Sequence, residues 1–171
     1  MSSAAAVVQT AIEASMEDAF RHIVPIDLAS IFTGYGPLPA VSGTRDETGP
    51  WDASGRTRTV VFSDGSTARE SLTGYQYPHR FTYTINGFTG VLKLLAREAH
   101  GEWQFEQLPD REATAVLWRY EFVSRSPWLA PVLRLFVQTL WRGYMRRALG
   151  LSKDQIEARS GQTQSDPGAR Y

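Results

Sequence analysis

From residue 38 to residue 124 the chain alternates apolar and polar side chains in run after run, and then gives way to one long amphipathic stretch. That order constrains the fold more than any other feature. Candidate strands are 39–46, 56–62, 67–75, 80–85, 97–108 and 113–123, with side chains repeating at the period of two that a half-buried strand requires. Ser63-Asp64-Gly65 and Pro109-Asp110-Arg111-Glu112 supply turn chemistry between runs. Such short connections join antiparallel neighbours. An antiparallel sheet with one apolar face needs a cover. The cover is a helix opened by Ser126-Pro127, with proline well placed in the first turn, and closed by Gly150. On a helical wheel Leu129, Val132, Leu133, Phe136, Thr139, Leu140 and Gly143 share one face, opposite Arg134, Gln138, Arg142 and Arg146. A helix of about 22 residues is roughly 33 Å long at 1.5 Å per residue. It can lie across a curved sheet without filling its concavity, so a cavity is expected.

Upstream, residues 7–14 read as a first strand. Ser15-Met16-Glu17-Asp18 then offers a helix cap with an acid three positions on, ahead of Ala19-Phe20 and Ile23-Val24. A second short helix spans 26–32, with Asp27 as its cap. It ends in Thr33-Gly34-Tyr35-Gly36-Pro37, which is no phosphate loop, because neither the glycine spacing nor a following helix fits. Residues 88–96 are apolar without a clear period and read as a loop or irregular strand. The fold class is α+β, with a curved antiparallel sheet around a long C-terminal helix.

Length and composition narrow the function. At 171 residues a single domain is expected, placed at 1–151, with 152–171 a polar, disordered tail. An apolar share of 42 % against 21 % charged supports a packed core. Basic and acidic residues both number 18, which removes the electrostatic case for nucleic acid. Absence of cysteine removes disulfides, cysteine-based zinc, iron–sulfur clusters and a thiol nucleophile. The N-terminus lacks signal-peptide features, and the best apolar stretch, 128–144, is interrupted by Arg134 and Arg142. A cytoplasmic, soluble protein is the expectation.

The order of elements resembles the SRPBCC superfamily (START, Bet v 1-like, polyketide cyclase/dehydrase). The residues that carry the resemblance begin with Ser15-Met16-Glu17-Asp18-Ala19-Phe20 after the first strand and Gly55-Arg56-Thr57-Arg58 before the Asp64-Gly65 turn. Glu70-Ser71-Leu72 and Tyr77-Pro78-His79-Arg80-Phe81-Thr82-Tyr83 follow. Gly101-Glu102-Trp103-Gln104-Phe105 and Val116-Leu117-Trp118-Arg119-Tyr120-Glu121-Phe122 then precede the helix, so residues 7 to 150 are covered. The resemblance implies a helix-grip fold enclosing a hydrophobic-ligand cavity. It implies no one chemistry, since carriers, receptors and enzymes share the architecture. No family catalytic string aligns, and the ligand spacing of metal-binding or Rieske-associated relatives is absent, so no cofactor or metal is expected.

His22, His79 and His100 are not paired at metal-ligand spacing. His79 follows Pro78 at a strand start and His100 precedes Gly101 in a turn or bulge, both read as solvated, and His22 reads as a surface or rim residue with a general-base or ligand-contact role as the alternative. No Gly-x-Ser-x-Gly elbow exists, which disfavours nucleophilic hydrolysis. Arg58 and Glu70 are more informative. A three-residue loop at Ser63-Asp64-Gly65 with Gly65 left-handed pairs them and places both inside, whereas a two-residue Asp64-Gly65 loop pairs Arg58 with Ser71. A buried Arg–Glu pair loses hydration, so a ligand role competes with an ordinary cross-strand pair. Strand alternation puts Phe81, Tyr83, Ile85, Trp103, Phe105, Val116, Trp118, Tyr120 and Phe122 on the helix side, together with Leu72. These read as core or as the wall of a pocket for a flat ligand, with Tyr83 and Tyr120 as the hydroxyl candidates. From the helix, Leu133, Phe136, Leu140 and Gly143 face the same space. Gly143 marks close packing or room for a ligand, and Arg147 a cation for the helix C-terminus or for an anionic group.

Three functions are consistent with this pattern. One is a carrier or sensor that captures a lipid-like or polyketide-like molecule, loaded through a portal at 87–96. Another is a cofactor-independent cyclase/dehydratase in which Tyr83, Tyr120, Arg58 and Glu70 move protons or stabilise an enolate. The last is a lipid-surface or protein-interaction accessory using the five arginines, and no acid, between Phe122 and Lys153. The sequence does not specify an oligomeric state.

Overall fold

The computed structural model describes residues 2–164. Its elements in chain order are β1 (Ser3–Ile12), α1 (Met16–Ile23), α2 (Leu28–Ile31), β2 (Val41–Arg45), β3 (Thr57–Phe62), β4 (Thr67–Gln76), β5 (Arg80–Asn86), α3 (Leu92–Leu95), β6 (Ala96–Gln107) and β7 (Thr114–Ser124). A helical rod, α4 (127–164), completes the chain. All strands join one antiparallel sheet in the order β1-β7-β6-β5-β4-β3-β2. Each predicted strand is present, with bounds shifted by a few residues. Ser15 caps α1 by accepting from the Asp18 N–H at 3.1 Å, and Asp27 caps α2 by accepting from the Ala29 N–H at 3.1 Å.

Local chemistry fixes the register that matters most for the cavity. Gly65 adopts φ +84° and the Phe62 N–H donates to the Ser66 carbonyl, so the three-residue hairpin forms and Arg58 faces Glu70. Ladder irregularities at Val41/Gly43, Leu72/Gly74 and Ala96/Glu98 bend the strands, curling the sheet towards α4. The concave face is apolar, with Phe81, Tyr83 and Ile85 of β5 and Val116, Trp118, Tyr120 and Phe122 of β7 all buried. The convex face carries charges, including the Arg80–Glu102 pair at 2.7 Å.

Three expectations are corrected. Residues 88–96, expected as a loop or irregular strand, contain a short helix, α3 (Leu92–Leu95). The rod does not close at Gly150, and the part of the expected disordered tail up to Gln164 is helical. Gly150 is exposed there, so it costs helix propensity without opening a gap. The inner face simply continues, with Ser152 and Ile156 buried. Gln155 holds it to α1 and α2 by bonding His22 at 3.3 Å and Ser30 at 3.1 Å. Residues 165–171 of that tail lie outside the described residues.

The third correction concerns which side of α4 faces inward. The rod starts as a 3-10 turn (Pro127–Leu129), continues as α-helix (Ala130–Phe136), passes through a π-helical turn (Val137–Trp141) and resumes as α-helix (Arg142–Gln164). One extra residue in a turn rotates everything after it by about 100°. The expected inward positions 140, 143 and 147 are thus each replaced by the next residue: Trp141, Tyr144 and Ala148 are buried. Arg147 is exposed, and Leu140 and Gly143 are only half-buried. Gly143 resolves as close packing: a Cβ there would lie 2.4 Å from the Tyr35 ring, which rests on it.

Candidate functional site

Beneath the α1–α2 segment, between the concave sheet face and α4, lies a cavity of about 70 Å³. It is small beside the roughly 300 Å³ or more of a typical pocket for a drug-sized ligand. A larger guest therefore requires the surrounding elements to move apart. Of the residues nominated from sequence, Arg58, Glu70, Phe81, Tyr83, Ile85, Trp103, Trp118, Tyr120 and Phe122 line it. The others are not part of its lining. Leu72 and Leu133 are buried, Phe105 packs edge-on against Phe20 at 5.2 Å, and Phe136 meets Phe122 at 5.9 Å. Leu140 lies beside Gly36, Gly143 is under Tyr35, and Arg147 points to solvent.

The wall is aromatic by construction. Trp103 and Trp118 face each other across β6 and β7 and stack at 4.5 Å, and Phe81 continues the stack on Trp103 at 6.0 Å. One step along, Tyr83 pairs with Gly101, which in turn pairs with Tyr120. A Cβ on Gly101 would lie 2.0 Å from the Tyr83 ring, so only glycine lets that ring lie flat over β6. Tyr83 accepts a hydrogen bond from the Trp118 indole at 2.8 Å, and its ring centre is 6.1 Å from that of Tyr120. Burial, reinforced by the Glu70 charge, drives the Tyr83 hydroxyl's pKa far above its ordinary value. Tyr120 is raised likewise, by burial first and then by Tyr83 and Glu70. Both are neutral donors at any physiological pH.

Arg58 and Glu70 form the polar part of the wall. Arg58 Nε donates to Glu70 Oε2 at 2.7 Å, with side-chain exposures of 9 % and 6 %. The guanidinium also sits 4.1 Å above the Trp51 ring. Trp51 was not nominated from sequence, although a lone tryptophan in the polar run Thr48-Gly49-Pro50-Trp51-Asp52 invites burial. Ile23, Ile31, Phe32, Phe88, Leu92 and Trp141 also line the cavity and were missed. Their positions depend on how the helices and the α3 loop fold over the sheet. Trp141 arrives only through the π turn.

The histidines are elsewhere. His22 faces α4 and bonds Gln155, with its pKa lowered chiefly by burial, while His79 and His100 are exposed. Among the described residues no group of three or more His, Asp or Glu converges to hold a metal ion. No helix among them is long and apolar enough to cross a membrane.

The polyketide cyclase / dehydrase and lipid transport family model matches residues 3–157, nearly the whole described chain. The protein belongs to that family. No curated protein sequence matches it significantly. Among solved structures, norcoclaurine synthase from Thalictrum flavum is 12 % identical with a TM-score of 0.69, over 92 % of this chain and 96 % of that one. Ara h 8.0201 is 14 % identical with a TM-score of 0.64, over 91 % and 99 % of the two chains. The protein XoxI from Bacillus cereus is 17 % identical with a TM-score of 0.62, over 90 % and 95 %. At these identities the likeness establishes the Bet v 1-like helix-grip fold. Family and fold together point to a domain that binds small hydrophobic ligands.

Proposed function

We propose that this family member captures one small, flat, largely apolar molecule in the cavity between its sheet and α4. The observation that carries the reading is the cavity's lining: stacked indoles and phenyl rings interrupted by a single buried Arg–Glu pair. Aromatic walls with a few fixed polar groups favour aromatic or polycyclic guests. Loading needs a gap, and the 87–96 segment is the portal, because Phe88 and Leu92 line the cavity while Val91 and Leu94 on the same segment are 74 % and 65 % exposed. Beside it, Trp128, Val132 and Leu135 form an exposed stripe at i, i+4, i+7 spacing on α4. Arg125 ties the two regions together, donating to the Lys93 carbonyl at 2.7 Å. With Lys93, Arg125 and Arg134 around it and no acid between Phe122 and Lys153, this end suits an anionic lipid surface from which the guest is taken.

A cyclase/dehydratase reading is favoured by one observation, the juxtaposition of the Arg58–Glu70 pair with two neutral tyrosine donors in one water-poor space. Such a set can polarise a carbonyl while a carboxylate takes a proton. Native purification followed by solvent extraction and mass spectrometry separates the readings. A stoichiometric guest that is unchanged after incubation with fresh protein supports a carrier, and one that loses water or cyclises supports an enzyme. An empty extract, with no thermal shift from fatty acids, sterols or aromatic polyketides, would overturn both.

A further inference from the structure

Away from the cavity, the first strand leaves part of its backbone unpaired. β1 is an edge strand, with β7 on one side only. The Ser2 carbonyl accepts from the Ser124 N–H, so by alternation the even-numbered residues of β1 turn their backbone groups to β7 and the odd-numbered ones to the free edge. At either end of that edge a side chain of α4 takes one group. Gln138 donates to the Ala5 carbonyl at 2.6 Å, and Glu157 accepts from the Glu13 N–H at 3.1 Å. Between these ties the edge-facing N–H and C=O of Val7 and Gln9 have no partner among the described residues. Proteins ordinarily cover or interrupt such an edge.

The two ties also fix how the helix lies. About 28 Å of helix separates Gln138 from Glu157, and about 26 Å of extended chain separates Ala5 from Glu13, so the two run side by side in the same direction. By that count Arg142 stands level with Val7 and Arg146 with Gln9. A groove of about 550 Å³ lies between strand and helix, lined by residues 7–10, Arg142, Arg146, Leu149 and Gly150. Neither arginine has a carboxylate partner among the described residues, and α4 carries no acid before Asp154. Gly150 sits mid-helix, where glycine is the least favourable residue after proline. A Cβ there would meet no atom within 4 Å, so packing does not demand the glycine. It keeps that end of the groove clear of a side chain.

We propose that this groove docks an extended, acidic peptide segment of a partner protein as an eighth strand on β1, with its carboxylates on Arg142 and Arg146. Strand addition supplies what the edge lacks, an acceptor for each free N–H and a donor for each free C=O. Carboxylates at alternate positions of an added strand stand about 6.6 Å apart, close to the rise of about 6 Å between the two arginines. A second copy of this chain fits less well, because edge-to-edge pairing about a two-fold axis sets its arginines beside these. A lipid surface would answer the arginines but not the row of backbone groups. The proposal is independent of what the cavity holds.

The test uses the full chain and a labelled probe peptide, Gly-Thr-Val-Glu-Val-Glu-Val-Thr-Gly. Two controls accompany it, one with Gln for both Glu and one N-methylated at alternate amides. Affinity is read by fluorescence anisotropy, and the edge by the Val7 and Gln9 amide resonances and their hydrogen exchange. The acidic peptide is expected to bind, to shift both resonances and to slow exchange at both amides, while the N-methylated peptide does not bind. The Gln peptide should bind about tenfold more weakly, the worth of two exposed charge pairs, and Arg142→Gln with Arg146→Gln should erase that difference. Should the double variant fail to fold, the peptide comparisons use the wild type alone. Equal binding of the acidic and Gln peptides, or of the N-methylated peptide, overturns the proposal, as does no binding at all. Binding that phosphate displaces, with Val7 and Gln9 unmoved, leaves an anion site only. Dimers in light scattering whose Val7 and Gln9 amides are protected without peptide would assign the edge to a second copy. Phosphatidylglycerol vesicles that need Arg142 and Arg146, with no peptide binding, would assign it to lipid.

Discussion

Replacing Glu70 alone and replacing it together with Arg58 should have opposite consequences. The pair is almost dry, at 2.7 Å with side-chain exposures of 9 % and 6 %. Glu70→Leu leaves the guanidinium with the Trp51 ring at 4.1 Å and, among the described residues, no carboxylate in contact. An uncompensated buried charge costs about 3–5 kcal/mol. For a chain of this length that is roughly 6–20 °C of melting temperature, at about 2–4 °C per kcal/mol. Arg58→Met with Glu70→Leu removes both charges, and the methionine can still pack on Trp51. Two ions that gave up hydration to pair are often replaced by apolar groups without loss, so the double variant should return to within about 1 kcal/mol of the wild type or exceed it. Urea unfolding followed by tryptophan fluorescence and circular dichroism measures both. Ligand occupancy of the purified double variant should nevertheless fall, because the polar part of the wall is gone. A double variant as unstable as Glu70→Leu would refute the reasoning: the pair would then be a net structural stabiliser and no sign of a ligand role.

Other outcomes follow from the same geometry. Gly101→Ala puts a Cβ 2.0 Å from the Tyr83 ring, displacing it and breaking its bond from Trp118; a loss of about 2–4 kcal/mol in urea unfolding is expected, and a near-neutral variant would show that the ring is free to move. The hydroxyl pKa values of Tyr83 and Tyr120 are raised in the folded state, so the unfolded chain loses those protons first and stability falls as pH rises above about 10, by up to about 2.7 kcal/mol per pH unit for the two together. Absorbance titration at alkaline pH should show both tyrosines ionising only on unfolding. Trp128→Ser with Leu135→Ser should abolish sedimentation with vesicles of phosphatidylglycerol while leaving the melting temperature unchanged, since both side chains are exposed. Binding that persists in this variant, or that is equal on neutral vesicles, would remove the lipid surface from the proposal.

The sequence by itself determined the strands and the two helix caps, because each is set by neighbours within a few positions, whereas the register of the 63–65 hairpin stayed open between two loop lengths until the structure paired Arg58 with Glu70. Ser15, Asp27 and the Ser63-Asp64-Gly65 turn act through their own backbone, and period-two alternation names the inward side of β5 and β7 without reference to anything else. That is why Arg58, Glu70, Tyr83, Tyr120, Trp103 and Trp118 were legible as candidates before any coordinates, while the stacking of the two indoles was not. Tertiary structure decided what lies across from them. A wheel assumes 3.6 residues per turn throughout, and one π turn moved the inner face from Leu140, Gly143 and Arg147 to Trp141, Tyr144 and Ala148. Gly150 reads as a stop, yet contacts of the inner face with α1 and α2 carry the helix past it. Tyr35 filling the space over Gly143, Trp51 folding onto Arg58 and Leu92 reaching the cavity are likewise contacts between segments far apart in sequence. Local patterns select the backbone at each position, but the shape of a cavity is set by the residues that close it, and those are chosen by packing.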